Sequence, residues 1–91
     1  MITLSPGEAD SEYKTSDKEL VLGLLSLNHK PVRIEVDKSK DFPMIYYTFD
    51  QDMVEDDINR LMTNEEILVD IRMVWAANQV WTMNVRRAKY A

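Results

Sequence analysis

The chain has 91 residues, enough for one domain with a small core, and its composition of 45% hydrophobic and 30% charged residues with 2 Gly and 3 Pro is that of a folded protein. With no cysteine and a single histidine, the sequence excludes a disulfide framework and a thiolate metal site, and it leaves little for a nucleophile relay. The net charge of −5 divides unevenly: residues 1–70 hold 7 Lys/Arg against 16 Asp/Glu, whereas residues 71–91 hold 4 cations (Arg72, Arg86, Arg87, Lys89) and no acid, so the body repels phosphates, direct nucleic-acid binding is disfavoured, and the two ends complement each other.

Residues 1–12 carry Pro6-Gly7 among small polar and acidic side chains, and read as a flexible tail ahead of a single domain at 13–91. Residues 1–10 lack a basic start followed by an apolar run, so neither a secretory leader nor a membrane span is expected. Tyr13-Lys14-Thr15 can form a short strand. Ser16 and Glu19 match a capping box, and Leu20, Val21, Leu24, Leu25 and Leu27 then share one helical face. Asn28 suits the left-handed end of that helix, and Pro31 blocks its continuation.

Val32-Arg33-Ile34-Glu35-Val36 alternates as a half-buried strand does. Residues 37–43 form a polar loop. The next strand spans 44–49, with Ile45, Tyr47 and Phe49 on one face and Met44, Tyr46 and Thr48 on the other; being apolar on both sides, it belongs at the centre of the sheet. Asp50 caps a second helix with Val54, Ile58, Leu61 and Met62 as its buried stripe. Thr63 and Glu66 offer a capping box that starts the final helix near Asn64; Asp70 is the rival cap, which would leave Ile67 to Val69 extended. The order β-α-β-β-α-α predicts an α+β fold: a three-stranded sheet of order 1-3-2, a split β-α-β arrangement, with three helices on one face and the long one at the C-terminus.

The final helix is apolar twice. At 100° per residue, Ile67, Ile71, Val74, Trp81, Val85 and Ala88 form one stripe, and Val69, Met73, Ala76, Val80 and Met83 form another nearly opposite. One stripe can serve the core of this chain. The second asks for another surface, and a symmetric homodimer through Met73, Ala76, Val80 and Met83 is the simplest form of that burial.

Tyr13-Lys14-Thr15-Ser16-Asp17, the run Leu24-Leu25 followed by Asn28-His29-Lys30, the strand end Tyr47-Thr48-Phe49-Asp50, an acidic helix and a closing helix together resemble a small family of uncharacterised domains that recur in phage and bacterial genomes. The resemblance spans residues 13–89. The loop 37–43 and the Trp- and Met-rich last helix depart from the family's pattern. It implies a phage or prophage origin, and it transfers no catalytic residue.

The acidic run Asp50, Asp52, Glu55, Asp56 and Asp57 opens a helix without the glycine turn of a calcium loop, so dipole stabilisation explains it better than a metal does, and no metal or cofactor is expected. The same acids, with Glu65, Glu66 and Asp70, could instead imitate nucleic-acid phosphates. His29 beside a helix end suits its last carbonyls. Glu35-Val36-Asp37-Lys38 has the residue types of a nuclease site, but strand alternation already accounts for Glu35. Arg72, Gln79 and Arg86 recur every seventh residue as a polar strip that, with Arg87, Lys89 and Tyr90, could meet phosphates or an acidic partner, although cations near a helix C-terminus are already explained by its dipole. Tyr46 and Thr48 on the outer sheet face could stack a base, although two residues do not make a platform.

These features point to a non-catalytic interaction protein, cytoplasmic in a bacterial host. It would pair with itself and engage a host protein or protein–nucleic-acid complex, the most concrete version being an inhibitor of a host defence complex. The alternative is a small-ligand (nucleotide) binding or sponge protein, with a site at the homodimer interface lined by Arg72, Arg86 and Trp75. An enzyme with an acidic site ranks well below both.

Overall fold

The computed structural model describes residues 1–39, 41–63 and 65–90; in chain order it forms β1 (Ile2–Ser5), β2 (Glu12–Thr15), α1 (Lys18–Ser26), β3 (Arg33–Asp37), β4 (Met44–Asp50), α2 (Gln51–Met62) and α3 (Ile71–Tyr90). The sheet is antiparallel throughout, in the order β1-β3-β4-β2. The α+β class, the three helices and the long closing helix match the sequence reading. So does the placing of β4 between β2 and β3.

The strand count does not match: there are four strands rather than three. The fourth is β1, from inside the stretch read as a tail. It pairs with β3 through Ile2↔Val36, Thr3↔Glu35 and Ser5↔Ile34, with an irregularity between Thr3 and Ser5. Four residues are too few for alternation to stand out in a sequence. What recruits them is the outer edge of β3, whose backbone groups would otherwise face solvent unpaired.

β1 and β2 lie at opposite edges, so residues 6–11 must carry the chain from one side of the sheet to the other. Gly7 makes that crossing possible, because a β-carbon there would lie 1.8 Å from the Val32 carbonyl oxygen. Arg33 secures the crossing: its guanidinium donates to the Gly7 carbonyl at 3.0 Å and to both carboxylate oxygens of Glu12 at 2.7 and 2.9 Å. Its Nε donates to Glu35 at 2.9 Å.

Alternation places Ile34, Val36, Ile45, Tyr47 and Phe49 on the sheet face that carries the helices, and all five are buried. Leu20, Val21 and Leu24 of α1, Val54 and Ile58 of α2 and Ala88 of α3 complete that core. The α1 cap sits one residue later than expected. Asp17, not Ser16, accepts the amides of Glu19 and Leu20, at 3.0 and 3.3 Å, because a carboxylate at the cap also meets the positive end of the helix dipole. Asn28 adopts the left-handed conformation, with φ of 68°, as its position after the helix required. Asp50 caps α2 by accepting the Asp52 amide at 3.1 Å. Of the stripe expected on α2, Val54 and Ile58 are buried and Leu61 is half-buried, whereas Met62 at the end is exposed.

The final helix starts later than the Thr63 reading implied. Asp70 is its cap: its side chain accepts the Arg72 amide at 2.8 Å and its carbonyl accepts the Met73 amide at 2.9 Å. Ile67 to Val69 lie outside any helix or strand, and the Asn64 alternative falls outside the described residues. Thr63 is spent on the end of α2, where its hydroxyl donates to the Asn59 carbonyl at 2.9 Å.

Candidate functional site

α3 turns neither predicted stripe squarely inwards. Its buried residues are Ala77, Asn84 and Ala88, with Val74, Trp81 and Met73 half-buried beside them. Ala77 and Asn84 lie between the two stripes; Val74, Trp81 and Ala88 are the near edge of the first and Met73 is the near edge of the second. Two contacts set the rotation. Asn84 Nδ2 donates to the hydroxyl of fully buried Tyr47 at 3.1 Å, and Trp81 stacks on the Tyr47 ring with centroids 5.5 Å apart and planes 15° from parallel. A buried phenol needs a hydrogen-bond partner, and Asn84 on the inner face of α3 supplies it. Small Ala77 and Ala88 let the helix come close.

The cost of that rotation is borne by the stripes. From the first, Ile71 is 60% and Val85 42% exposed. From the second, Val80 is 37% and Met83 59% exposed, Ala76 is exposed and Met73 is half-buried. Trp75 stands 62% exposed. The four residues named from the sequence as an interface, Met73, Ala76, Val80 and Met83, thus lie on one side of α3, and three of the four are open to solvent.

The polar strip runs along the same side. Arg72, Gln79 and Arg86 are all exposed. Gln79 and Arg86 join Asn78, Thr82 and Met83 around a shallow concavity, whereas Arg72 and Trp75 stand outside it, so the residues proposed for a nucleotide site do not enclose one within a single chain. Arg72 is held back on its own cap, with Nη2 2.7 Å from Asp70 Oδ2. At the far end Arg87 turns away to donate to the Leu4 carbonyl of β1.

The four acids of α2 and the Asp50 before it divide into two groups. Asp50 is the cap, and Asp57 is half-buried between His29, at 2.6 Å from Oδ2, and Arg60, at 3.0 Å from Oδ1. Asp52, Glu55 and Asp56 are exposed and can meet another molecule. Among the described residues no group of three or more His, Asp or Glu side chains is arranged to hold a metal.

The open sheet face is a web of ion pairs. Besides the bonds to Arg33, Glu35 lies 3.7 Å from Lys14 Nζ, and Lys14 sits 4.9 Å above the Tyr46 ring. Glu35 is therefore engaged in holding the sheet, and Asp37 Oδ1 accepts the Ser39 amide at 2.9 Å, so the nuclease-like run is accounted for structurally. Thr48 is fully buried, and its hydroxyl oxygen has no hydrogen-bond partner among the described residues. A base could not lie on it, which removes half of the stacking pair suggested by Tyr46 and Thr48.

Several carboxylates are held below their ordinary range. The His29 ring nitrogen hydrogen-bonded to Asp57 lowers its pKa, and the Arg33 guanidinium does the same for Glu12 and Glu35. A depressed carboxylate pKa means that the unfolded chain takes up protons first. Stability from these pairs is complete above the unfolded carboxylate range and is lost as pH falls through the folded values. Urea midpoints should therefore fall between neutral pH and pH ~3, starting below the unfolded Asp and Glu values of ~4. Asp57→Asn should flatten that fall. An unchanged slope in the variant would show that Asp57 is not one of the groups responsible.

Sequence reasoning missed Asn84, Ala77 and the Arg87 contact. Their only trace is that small and polar residues recur along one helical line between apolar ones. No family model, no curated protein and no solved structure matches this chain. Nor is any helix among the described residues long and apolar enough to cross a membrane.

Proposed function

We propose that this chain is a non-catalytic interaction protein that self-associates through the exposed side of α3 and engages a host macromolecule through the acidic face of α2. Its most concrete form is a phage-type inhibitor of a host defence complex, acting in the cytoplasm of a bacterial host. The observation that carries the reading is the exposure of Val80, Met83 and Ala76 on one side of a 20-residue helix whose inner line already serves a complete core. Contiguous apolar residues of this kind are costly in water: full burial of a Val or Met side chain is worth roughly 1.5 to 3 kcal/mol, and Val80, 37% exposed, and Met83, 59% exposed, each forgo a part of it. Three exposed carboxylates, Asp52, Glu55 and Asp56, stand on a different helix, which leaves that surface available when α3 is covered.

Light scattering after gel filtration tests the first half. The wild type is expected to elute as two copies. Ala76→Arg should elute as one, with circular dichroism unchanged and a urea midpoint that, unlike the wild type's, does not depend on protein concentration. A wild type that remains a single copy at high micromolar concentration would refute self-association. For the second half, affinity capture of a bacterial factor should be lost on reversing Asp52, Glu55 and Asp56 to lysine, with the copy number unaffected. Equal capture by both proteins would refute a role for the acidic face.

A further inference from the structure

The exposed side of α3 has a repeat of its own. Met73, Ala76, Val80, Met83 and Arg87 follow one another at spacings of 3, 4, 3 and 4 residues. This is the 3.5-residue period of a coiled-coil seam, not the wider stripe of a helix lying on a globular core. Arg72, Gln79 and Arg86, at seven-residue intervals, flank the seam on its solvent side, and Ala77 and Asn84 flank it on the buried side. The seam closes at Arg87, which is turned towards Leu4.

We infer that two copies of this chain pair antiparallel through α3, about a two-fold axis at the level of Asn78. The inference rests on the reading of α3 as a self-association surface and adds the partner's orientation and register. An axis there sets Met73 against Met83 of the second copy and Ala76 against Val80 of the second copy. Each layer then holds either two long flexible side chains or one small and one larger, and the helices can approach at the alanine.

Charge selects the same orientation. The segment leading into α3 is acidic, with Glu65, Glu66 and Asp70, and the end of α3 is basic, with Arg86, Arg87 and Lys89. Antiparallel pairing brings Asp70 level with Arg86 of the second copy, and it opposes the two helix dipoles. Parallel pairing would stack three cations on three cations and set Ala76 on Ala76, leaving a gap. Arg72 is the one cation at the acidic end, and Asp70 already neutralises it.

The chain contains no cysteine, so a single introduced thiol reports its own distance to the second copy. At a rise of about 1.5 Å per residue, Gln79 lies two residues along the helix from Gln79 of the second copy, about 3 Å, whereas Met73 and Met83 each lie ten residues, about 15 Å, from their own equivalents. A disulfide needs Cα atoms within about 7 Å. On mild oxidation Gln79→Cys should therefore form a cross-linked dimer, Met73→Cys alone and Met83→Cys alone should not, and an equimolar mixture of the last two should. Self-cross-linking of Met83→Cys, whose side chain is exposed and whose replacement leaves the core intact, would overturn the antiparallel register in favour of a parallel one. A protein that is dimeric by light scattering but fails to cross-link at Gln79→Cys and in the mixture would overturn the pairing while leaving self-association standing. A single copy in solution would overturn both.

Discussion

Phe49→Ala is expected to lower the unfolding free energy by about 3 to 5 kcal/mol, measured by urea denaturation followed by circular dichroism. Phe49 is fully buried on β4, an inner strand of the sheet, with Tyr13 of β2 opposite it across the ladder. Truncation removes the transfer energy of the ring and leaves a void that a paired strand cannot close by moving. A domain of this size holds only about 5 to 14 kcal/mol in total, so the change takes a large share of it. By contrast, Val80→Ala on the exposed seam should cost well under 1 kcal/mol in a monomeric sample, because surface substitutions stay within about 0.5 kcal/mol. A loss below about 1 kcal/mol for Phe49→Ala would show that Phe49 is not part of the rigid core.

The reach of the sequence can be judged element by element. β3 and β4 were legible because strict alternation writes burial directly into the residue order, and the same pattern gave the right centre for the sheet. The end of α1 at Asn28 and the Asp50 cap of α2 were legible because their chemistry is local. β1 was not, since its pairing depends on a strand 29 to 34 residues away and its own four residues hold little pattern. The choice between Thr63 and Asp70 was open for a similar reason: both are competent caps, and the end of α2 takes the threonine hydroxyl. On α3 the two apolar stripes were visible, but the direction between them was not. Hydrophobic periodicity assigns the core to the greasiest line, and here a hydrogen bond to a buried phenol outweighed it. Met73, Ala76, Val80 and Met83 share one side of the helix by their spacing alone, and Ala76, Val80 and Met83 are exposed there because the excess of apolar residues leaves some uncovered whatever the exact rotation.

That hydrogen bond gives the second large effect. Tyr47→Phe and Asn84→Leu should each cost about 1 to 3 kcal/mol, because each leaves the other group buried without its partner. Asn84 Oδ1 keeps a bond from Arg87 Nη1 at 3.4 Å, so the donor side of its amide is the orphan when the phenol is lost. The double variant Tyr47→Phe/Asn84→Leu should cost less than the sum of the singles, since removing both polar groups removes the unmet demand; urea midpoints on the four proteins measure this coupling. Additive costs would mean that the pair does not act as a unit. The same four proteins also bear on association. If Asn84 sets the rotation of α3 on the sheet, Asn84→Leu releases the helix to turn its first stripe inwards, so that Val74 and Val85 gain cover and the second stripe, nearly opposite, turns further towards solvent. The variant should then dimerise at least as tightly as the wild type, measured by light scattering across a dilution series, because half-buried Met73 is released to the seam; weaker dimerisation would show that the seam depends on the angle the buried phenol sets.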